Sequence, residues 1–132
     1  MIVREYTEAD FSRIKELHGQ SGFDYKMPTL SSDAFFSRRV VEGDDTIGMA
    51  ACLRLTAEAF LFCDPRWRTP SWRFDALKQL CRICNDDAKQ IGVQDVVAFL
   101  PPDIDGKFGK RLTQLGWDRA RDKWTSYSKA VI

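Results

Sequence analysis

The chain has 132 residues and a formal net charge of +1, and its pI is near 7.6. This length suits one domain, residues 1–132, and the balanced charge means that any basic site must be local. The sequence has no apolar run of membrane-spanning length, and its start, MIVREYTEAD, lacks the basic-then-apolar layout of a signal peptide. We therefore expect a soluble cytoplasmic protein that does not contact membranes.

The first half of the chain predicts a strand, a helix and then an antiparallel meander. IVREY alternates apolar and polar residues, and Thr7 is a suitable N-cap for a helix with apolar positions at Phe11, Ile14 and Leu17. Residues 19–36 show no clean period until SSDAFF, which could form a short helix. RRVVE and TIGMAACLRL flank the hairpin signal GDD, and AFLFC follows as a third consecutive strand.

The second half predicts two helices and two strands. Residues 70–91 form the longest helical pattern, which Gly92 ends. VQDVVAFL is nearly continuously apolar, so we expect a central strand buried on both faces. KFGKRLTQLGW predicts a helix ended by Gly116, and KWTSYSKAVI predicts a final strand. The long helix should bury one apolar face, which consists of Leu77, Leu80, Cys81, Cys84 and Ala88.

Four cysteines raise the question of a zinc or redox site: Cys52, Cys63, Cys81 and Cys84. In CRIC, helical spacing places two of them in an apolar stripe, and the other two lie in strand-like apolar runs. Because reduced cysteine behaves as a small apolar residue, we expect four free, buried thiols and no metal. His18 completes no ligand set and is interpreted as a packed or surface histidine on a helix face.

The order of these elements resembles the GNAT superfamily of acyl-CoA-dependent N-acetyltransferases over almost the whole chain. IVREYTEAD is similar to the family's opening strand and helix start, Gly48 stands where its third strand commonly carries a glycine, and LTQLGW is similar to its late helix. The resemblance implies an α+β fold with a mixed, twisted, mostly antiparallel sheet and helices on both faces. It also implies acetyl-CoA as co-substrate and an amine as acceptor, carried by a small molecule, a protein or a modified base.

The family's loop motif, [RQ]-x-x-G-x-[GA], corresponds here to RTPSWR, Arg68 to Arg73. Ser71 replaces the glycine and Arg73 replaces the small last residue. In the family this loop directs backbone N–H groups and a helix N-terminus at the pyrophosphate of coenzyme A, an arrangement that favours anions. The residues expected to bind the co-substrate are Phe62, Cys63, Arg66, Arg68, Thr69, Pro70, Ser71, Trp72 and Arg73.

Two interpretations of this loop stay open. In the first, Thr69 and Pro70 start the helix, a phosphate sits over Ser71 and Trp72, and the arginines supply charge-assisted hydrogen bonds. Trp67 or Trp72 then stacks on the adenine or braces the loop, while the bulk of Arg73 could instead block the approach of the phosphate. In the second, a proline-ordered turn leaves the arginines solvated and anchors both tryptophans in the core.

The catalytic group is not marked in the sequence. In the resembled family an amine attacks the thioester, a backbone N–H polarises the carbonyl where the fourth and fifth strands diverge, and a tyrosine often protonates the thiolate. Leu112 stands in the tyrosine's place, and Pro101 stands where an asparagine would follow the fifth strand. Glu42, Asp64, Tyr127 or a water could act as general base.

The acceptor is expected at the irregular segment, where Phe23, Asp24 and Tyr25 could contact it or could simply pack on the sheet. A second function class follows from the degenerate motif: a member of the same fold that has lost transfer chemistry and binds a partner or nucleic acid. Its contacts would be Arg66, Arg68, Arg73, Lys78 and Arg82. A homodimer is possible under either reading.

Overall fold

The structure, a computed structural model, describes residues 1–120 and 123–131. It is an α+β protein, as expected. The elements in chain order are β1 (Ile2–Glu5), a 3-10 turn (Glu8–Asp10), α1 (Phe11–Ser21), β2 (Phe35–Gly43), β3 (Thr46–Arg54), β4 (Ala57–Glu58), α2 (Pro70–Gln90), β5 (Val96–Val97) and α3 (Pro102–Gln114).

The backbone contacts divide the chain into two compact units. The first unit consists of Met1–Ala57 and Asn85–Val96, and the second of Glu58–Cys84 and the described residues from Val97 onward. None of the helices in the described part of the chain is both long and apolar enough to cross a membrane.

The first unit is built on a three-stranded antiparallel sheet in the order β1-β2-β3. Val3 pairs with Val41, and Val41 pairs with Met49. Asp44 and Asp45 connect β2 to β3 with φ angles of 53° and 60°. Positive φ at both central residues is the type I′ geometry that two-residue hairpins favour, and aspartate adopts it more easily than most residues. The hairpin predicted at GDD is therefore confirmed.

The core of the first unit lies between α1, the 27–30 region and one face of this sheet. Val40 at the sheet centre is fully buried, and Leu30 is only 3% exposed although it lies in an irregular segment. Tyr6, Phe11 and Leu17 pack against this cluster. The buried cluster consists of Ile14, Leu30, Phe35, Val40 and Ile47.

An ion-pair network joins β1, the start of α1 and β2. Arg4 donates to both carboxylate oxygens of Asp10 at 2.8 Å and to Oε1 of Glu42 at 2.8 Å. Asp10 also accepts from the backbone N–H of Thr7 at 2.8 Å, which closes the helix start in the manner of a capping box. The hydrogen bonds from Arg4 and Thr7 hold the pKa of the Asp10 carboxyl well below its usual range.

Two predictions about the middle of the chain are wrong. SSDAFF is not helical, because Ser32 and Phe35 close two successive turns, and Phe35 then begins β2 and pairs with Arg54 of β3. AFLFC, residues 59–63, is not a third antiparallel strand: the strand that precedes it is β4, which pairs with β5. Ala57 N–H donates to Asp95 and Ala59 N–H to Val97, so donors and acceptors advance in the same direction, which is the parallel pattern.

The second half differs from expectation in its burial. Helix α2 spans nearly the predicted residues, but none of its residues is buried and Leu80 is 50% exposed, so the predicted buried face is wrong. VQDVVAFL forms only the two-residue β5, with half-buried rather than fully buried side chains. The prediction of a final strand is also wrong, because residues 123–131 are exposed and contain no strand. Residue 132 lies outside the described residues.

The last helix, α3, begins earlier than predicted, at Pro102, where proline suits the first helical position. Its last residue is Gln114, and Gly116 stops the helix as predicted, with a φ of 91° and an N–H that donates to the carbonyl of Thr113 at 3.1 Å. Trp117 N–H donates to the carbonyl of Leu112 at 3.0 Å, which completes a glycine-based helix stop.

Leu30→Ala should lower the free energy of unfolding by about 2–5 kcal/mol, because it opens a cavity in the buried cluster. Leu53, which is 56% exposed on β3, supplies a control, and Leu53→Ala should cost about 0.5 kcal/mol or less. Urea denaturation of both variants checks this. Equal losses for the two would contradict the assigned core.

Asp10→Asn should lower stability at neutral pH and flatten its acid dependence. Since the folded pKa of Asp10 is depressed, the carboxylate's contribution is present above the usual pKa of about 3.9 and is lost as pH falls through the folded value. Unfolding curves from pH 7 to pH 3 measure this. Glu42→Gln is the comparison, because Arg4 also lowers the pKa of the more exposed Glu42. An unchanged acid limb in Asp10→Asn would refute the role.

Candidate functional site

The loop between β4 and α2 lies in the second unit and begins with a turn at DPRW. The backbone carbonyl of Asp64 accepts a hydrogen bond from the N–H of Trp67 at 3.1 Å. The Asp64 carboxylate accepts a second hydrogen bond, from the backbone N–H of Arg66 at 2.9 Å. Proline after aspartate is the preferred order at the start of a type I turn. Asp64 is therefore a turn-forming residue rather than a general base. Phe62 and Cys63, which precede the turn, are exposed.

The start of α2 is capped as the sequence predicted. Thr69 Oγ1 accepts from the N–H of Trp72 at 3.1 Å, and the Thr69 carbonyl accepts from the N–H of Arg73 at 3.0 Å. Pro70 has no N–H to satisfy. Ser71 contributes the one amide in this first turn for which the described residues supply no acceptor. An anion here would meet one free amide at Ser71 and not the pair expected over Ser71 and Trp72.

Arg73 points back into the loop and braces it. Its Nη1 donates to the carbonyl of Trp67 at 2.8 Å and to the carbonyl of Arg68 at 3.0 Å. Arg68 has a φ of 58°, an uncommon conformation for a residue with a long side chain. Because Arg73 holds the two carbonyls on either side of this bend, its side chain stabilises the loop and is not a free phosphate ligand.

Arg68 and the two tryptophans form one cluster. The guanidinium carbon of Arg68 lies 5.3 Å from the ring centroid of Trp72, and the two tryptophan rings meet edge to face at 4.5 Å. The rings are 48% and 44% exposed at Trp67 and Trp72, so neither is a core anchor. The side chain of Arg66 is 92% exposed. The loop that leads to the Ser71 amide thus carries two exposed arginines and two partly exposed rings.

The expected acceptor segment lies in the first unit. Gly22 ends α1 with a φ of 69°, and the chain then brings Tyr25 against His18, with ring centroids 4.9 Å apart. Phe23 stacks on Tyr25 at 5.3 Å, while Asp24 is exposed. His18 Nε2 is buried without a hydrogen-bond partner among the described residues. The sequence did not connect His18 with this segment, because it shows nothing about which way the chain turns after Gly22.

The other candidate bases have different roles or positions. Glu42 is paired with Arg4, which lowers its pKa and makes it a weaker base. Tyr127 is 93% exposed. The sequence assigns two further basic residues to the alternative binding function. Of these, Lys78 pairs with Asp75 at 2.9 Å and Arg82 is exposed. Among the residues that the structure describes, none is therefore marked as a general base.

The four cysteines are free thiols, as predicted, but only two are even half-buried. Cys63 and Cys84 are exposed, which corrects the expectation of burial, while burial raises the pKa of Cys52. No group of three or more His, Cys, Asp or Glu side chains within residues 1–120 and 123–131 could hold a metal ion.

The chain matches no protein-family model, no curated protein and no solved structure. The geometry of the loop and the order of the elements are therefore what a functional proposal must rest on.

Native alkylation should separate the cysteines by exposure. Cys63 and Cys84 should react with iodoacetamide first, and Cys52 should react last, because its raised pKa leaves less thiolate. Peptide mass spectrometry after timed quenching measures the order, and full reaction at all four sites in urea is the control. Early modification of Cys52 would contradict its position in the core.

Proposed function

We propose that the protein is an acyl-CoA-dependent N-acyltransferase with a GNAT-like fold, which transfers an acetyl or acyl group to an amine. The observation that carries the proposal is the loop before α2, which combines the unpaired Ser71 amide at a helix N-terminus with the exposed side chains of Arg66 and Arg68. A helix start with an unpaired N–H attracts phosphate, and arginine adds charge-assisted hydrogen bonds. The pyrophosphate of acetyl-CoA is the anion that this proposal assigns to the loop.

The strand pair before the loop supports the same assignment. β4 and β5 are parallel, and their pairing does not extend past Ala59 and Val97 in the described residues. The resembled family places the acyl thioester where its fourth and fifth strands diverge. A parallel pair that ends just before an anion-binding loop is the arrangement this chemistry requires, since it leaves backbone N–H groups free to polarise a carbonyl.

The residues of the loop divide into ligands and supports. Arg68 and Arg66 contact the pyrophosphate, Ser71 donates its amide, and Trp67 or Trp72 offers a face to the adenine. Thr69 caps the helix and Arg73 braces the turn. The acceptor amine attacks the thioester carbonyl, the C–S bond breaks, and the amine proton passes to the departing coenzyme A thiolate.

Arg68→Ala should weaken acetyl-CoA binding roughly ten- to a hundredfold, the worth of about 1.5–3 kcal/mol for a charge-assisted hydrogen bond. Arg82→Ala, which removes an exposed arginine further along α2, is the matched control and should leave binding unchanged. Calorimetric titration measures both. Absence of acetyl-CoA binding to the wild type would overturn the proposal.

Arg73→Gly tests the support role. Because the Arg73 side chain holds two loop carbonyls, its loss should weaken acetyl-CoA binding, and Arg73→Ala should do so as well. Both variants lose the Arg73 contacts to the loop carbonyls, but only the glycine variant also destabilises the helix, by about 1 kcal/mol relative to alanine. Comparing them separates these two effects on binding. Tighter binding by either variant would show that the arginine blocks the loop instead.

A second candidate function is favoured by the exposure of the two tryptophans between exposed arginines. Such a surface suits single-stranded nucleic acid, where bases stack on aromatic rings and phosphates meet cations. In this alternative the chain is a catalytically degenerate binding module. Titration with an oligothymidylate, followed by tryptophan fluorescence, tests this alternative. Quenching that weakens with added salt supports binding of single-stranded nucleic acid, and an unchanged fluorescence rejects it.

A further inference from the structure

The three-stranded sheet of the first unit has two edges that differ in length and charge. The strand at one edge, β1, has four residues and carries Arg4 and Glu5. The strand at the other edge, β3, has nine residues and no proline, and its only charged residue is Arg54 at its end. Proteins usually shorten, charge or cover their sheet edges, because a long uncharged edge pairs with other strands. The β1 edge follows this rule, and the β3 edge does not.

The backbone of β3 directs hydrogen-bonding groups away from the sheet. The carbonyl of Arg38 accepts from Tyr6 of β1, so the backbone of Arg38 faces away from Cys52, its neighbour on β3. Because the direction alternates along a strand, the N–H and C=O groups of Cys52 and Ala50 point to the open side of β3. Within the described residues no strand pairs with β3 there, and α1 packs on the face of the sheet instead.

The usable part of this edge is the stretch 49–53. Over these residues β3 keeps a regular register with β2, and a register shift interrupts the ladder at each end. Just before the stretch, Nε of Arg13 already donates to the carbonyl of Ile47 at 2.9 Å. The backbone that remains available is therefore centred on Ala51.

This stretch is complementary to itself when two copies pair antiparallel about Ala51. Met49 of one copy then lies opposite Leu53 of the other, and the outward-directed groups of Ala50 meet those of Cys52. Met49 and Leu53 are 65% and 56% exposed on the sheet face opposite the core, so their contact removes apolar surface from water. Since residues 49–53 carry no charge, no like charges oppose each other within this stretch.

The next strand of the same chain is engaged elsewhere. β4 follows β3 closely, but the N–H groups of Ala57 and Ala59 donate to the carbonyls of Asp95 and Val97. This segment is therefore bonded to the region of β5 and not to the edge of β3. A second copy, by contrast, offers the same open edge with the matching pattern of donors and acceptors.

We propose that two copies of this chain associate through β3, antiparallel about Ala51, so that their sheets join into one continuous sheet. Such an interface is isologous, because each copy contributes the same residues. A short strand pairing covers less area than a permanent dimer needs, so we expect a reversible dimer with a dissociation constant in the range of roughly 1 μM to 1 mM. The association goes beyond the transfer proposal and does not depend on it.

Cysteine cross-linking tests the register. The background is Cys63→Ser with Cys84→Ser, which removes the two exposed thiols. In it, Ala51→Cys should form a disulfide between two copies when copper phenanthroline is added, because residues opposed in a non-hydrogen-bonded pair lie within disulfide reach. Val3→Cys is the matched control, since Val3 is 60% exposed on the opposite edge strand, and it should stay monomeric. Electrophoresis without reductant measures both.

Sedimentation over a concentration series tests the association itself. The wild type should shift from monomer to dimer as its concentration rises. Ala51→Lys places two like charges opposite each other and should weaken the association roughly tenfold or more. Val3→Lys adds the same charge at the other edge and should associate as the wild type does. Melting temperatures near that of the wild type show that both variants fold.

Three results would overturn the proposal: a wild type that stays monomeric at every concentration, equal cross-linking of Val3→Cys and Ala51→Cys, or a folded Ala51→Lys variant that associates like the wild type. A monomeric Ala51→Cys variant, together with a lowered melting temperature of Ala51→Lys, would also reject it and would indicate that the chain covers its own edge. Acetyl-CoA affinity is measured separately and bears on the transfer proposal alone.

Discussion

The first unit depends on the hydrogen bonds that the guanidinium of Arg4 donates. It connects the first strand to the carboxylate that starts the first helix and to the strand beside it, through Asp10 and Glu42. Asp10 is 6% exposed, so its charge is stabilised by these bonds and by the Thr7 amide rather than by water. The direction in which α1 leaves the sheet follows from this contact.

The second unit depends on a different device, the bonds that close the loop before α2. The hydroxyl and the carbonyl of Thr69 accept hydrogen bonds from N–H groups of the first helical turn. The side chain of Arg73 supports the bend around Arg68. Both residues satisfy backbone groups that would otherwise need water. What remains available is the Ser71 amide with the exposed arginine and tryptophan side chains, which is why the functional proposals converge on this loop.

Local signals in the sequence predicted local structure well. Thr69 before Pro70, Gly116 after an apolar helix and the GDD hairpin each act through their own backbone, so their predictions hold. The predictions that fail required knowledge of distant partners. AFLFC is a short apolar run of the kind that strands contain, but whether it pairs depends on β5, which lies more than thirty residues later in the chain. Likewise, the spacing of apolar residues around Leu80 predicts an apolar helix face, but it does not show which element, if any, packs against that face. At the site, the types of the loop residues were predictable, whereas the inward turn of Arg73 was not.

The brace formed by Arg73 also bears on how the loop would meet a ligand. A glycine-rich loop gains its close approach to phosphate from conformational freedom, and it loses that freedom when the ligand binds. Here a side chain already holds the bend in place through two carbonyl contacts. A loop ordered in advance gives up less conformational entropy on association, so more of each contact appears as affinity. The same two contacts narrow the range of ligands, since a bulkier anion that needs a wider loop would first have to break them.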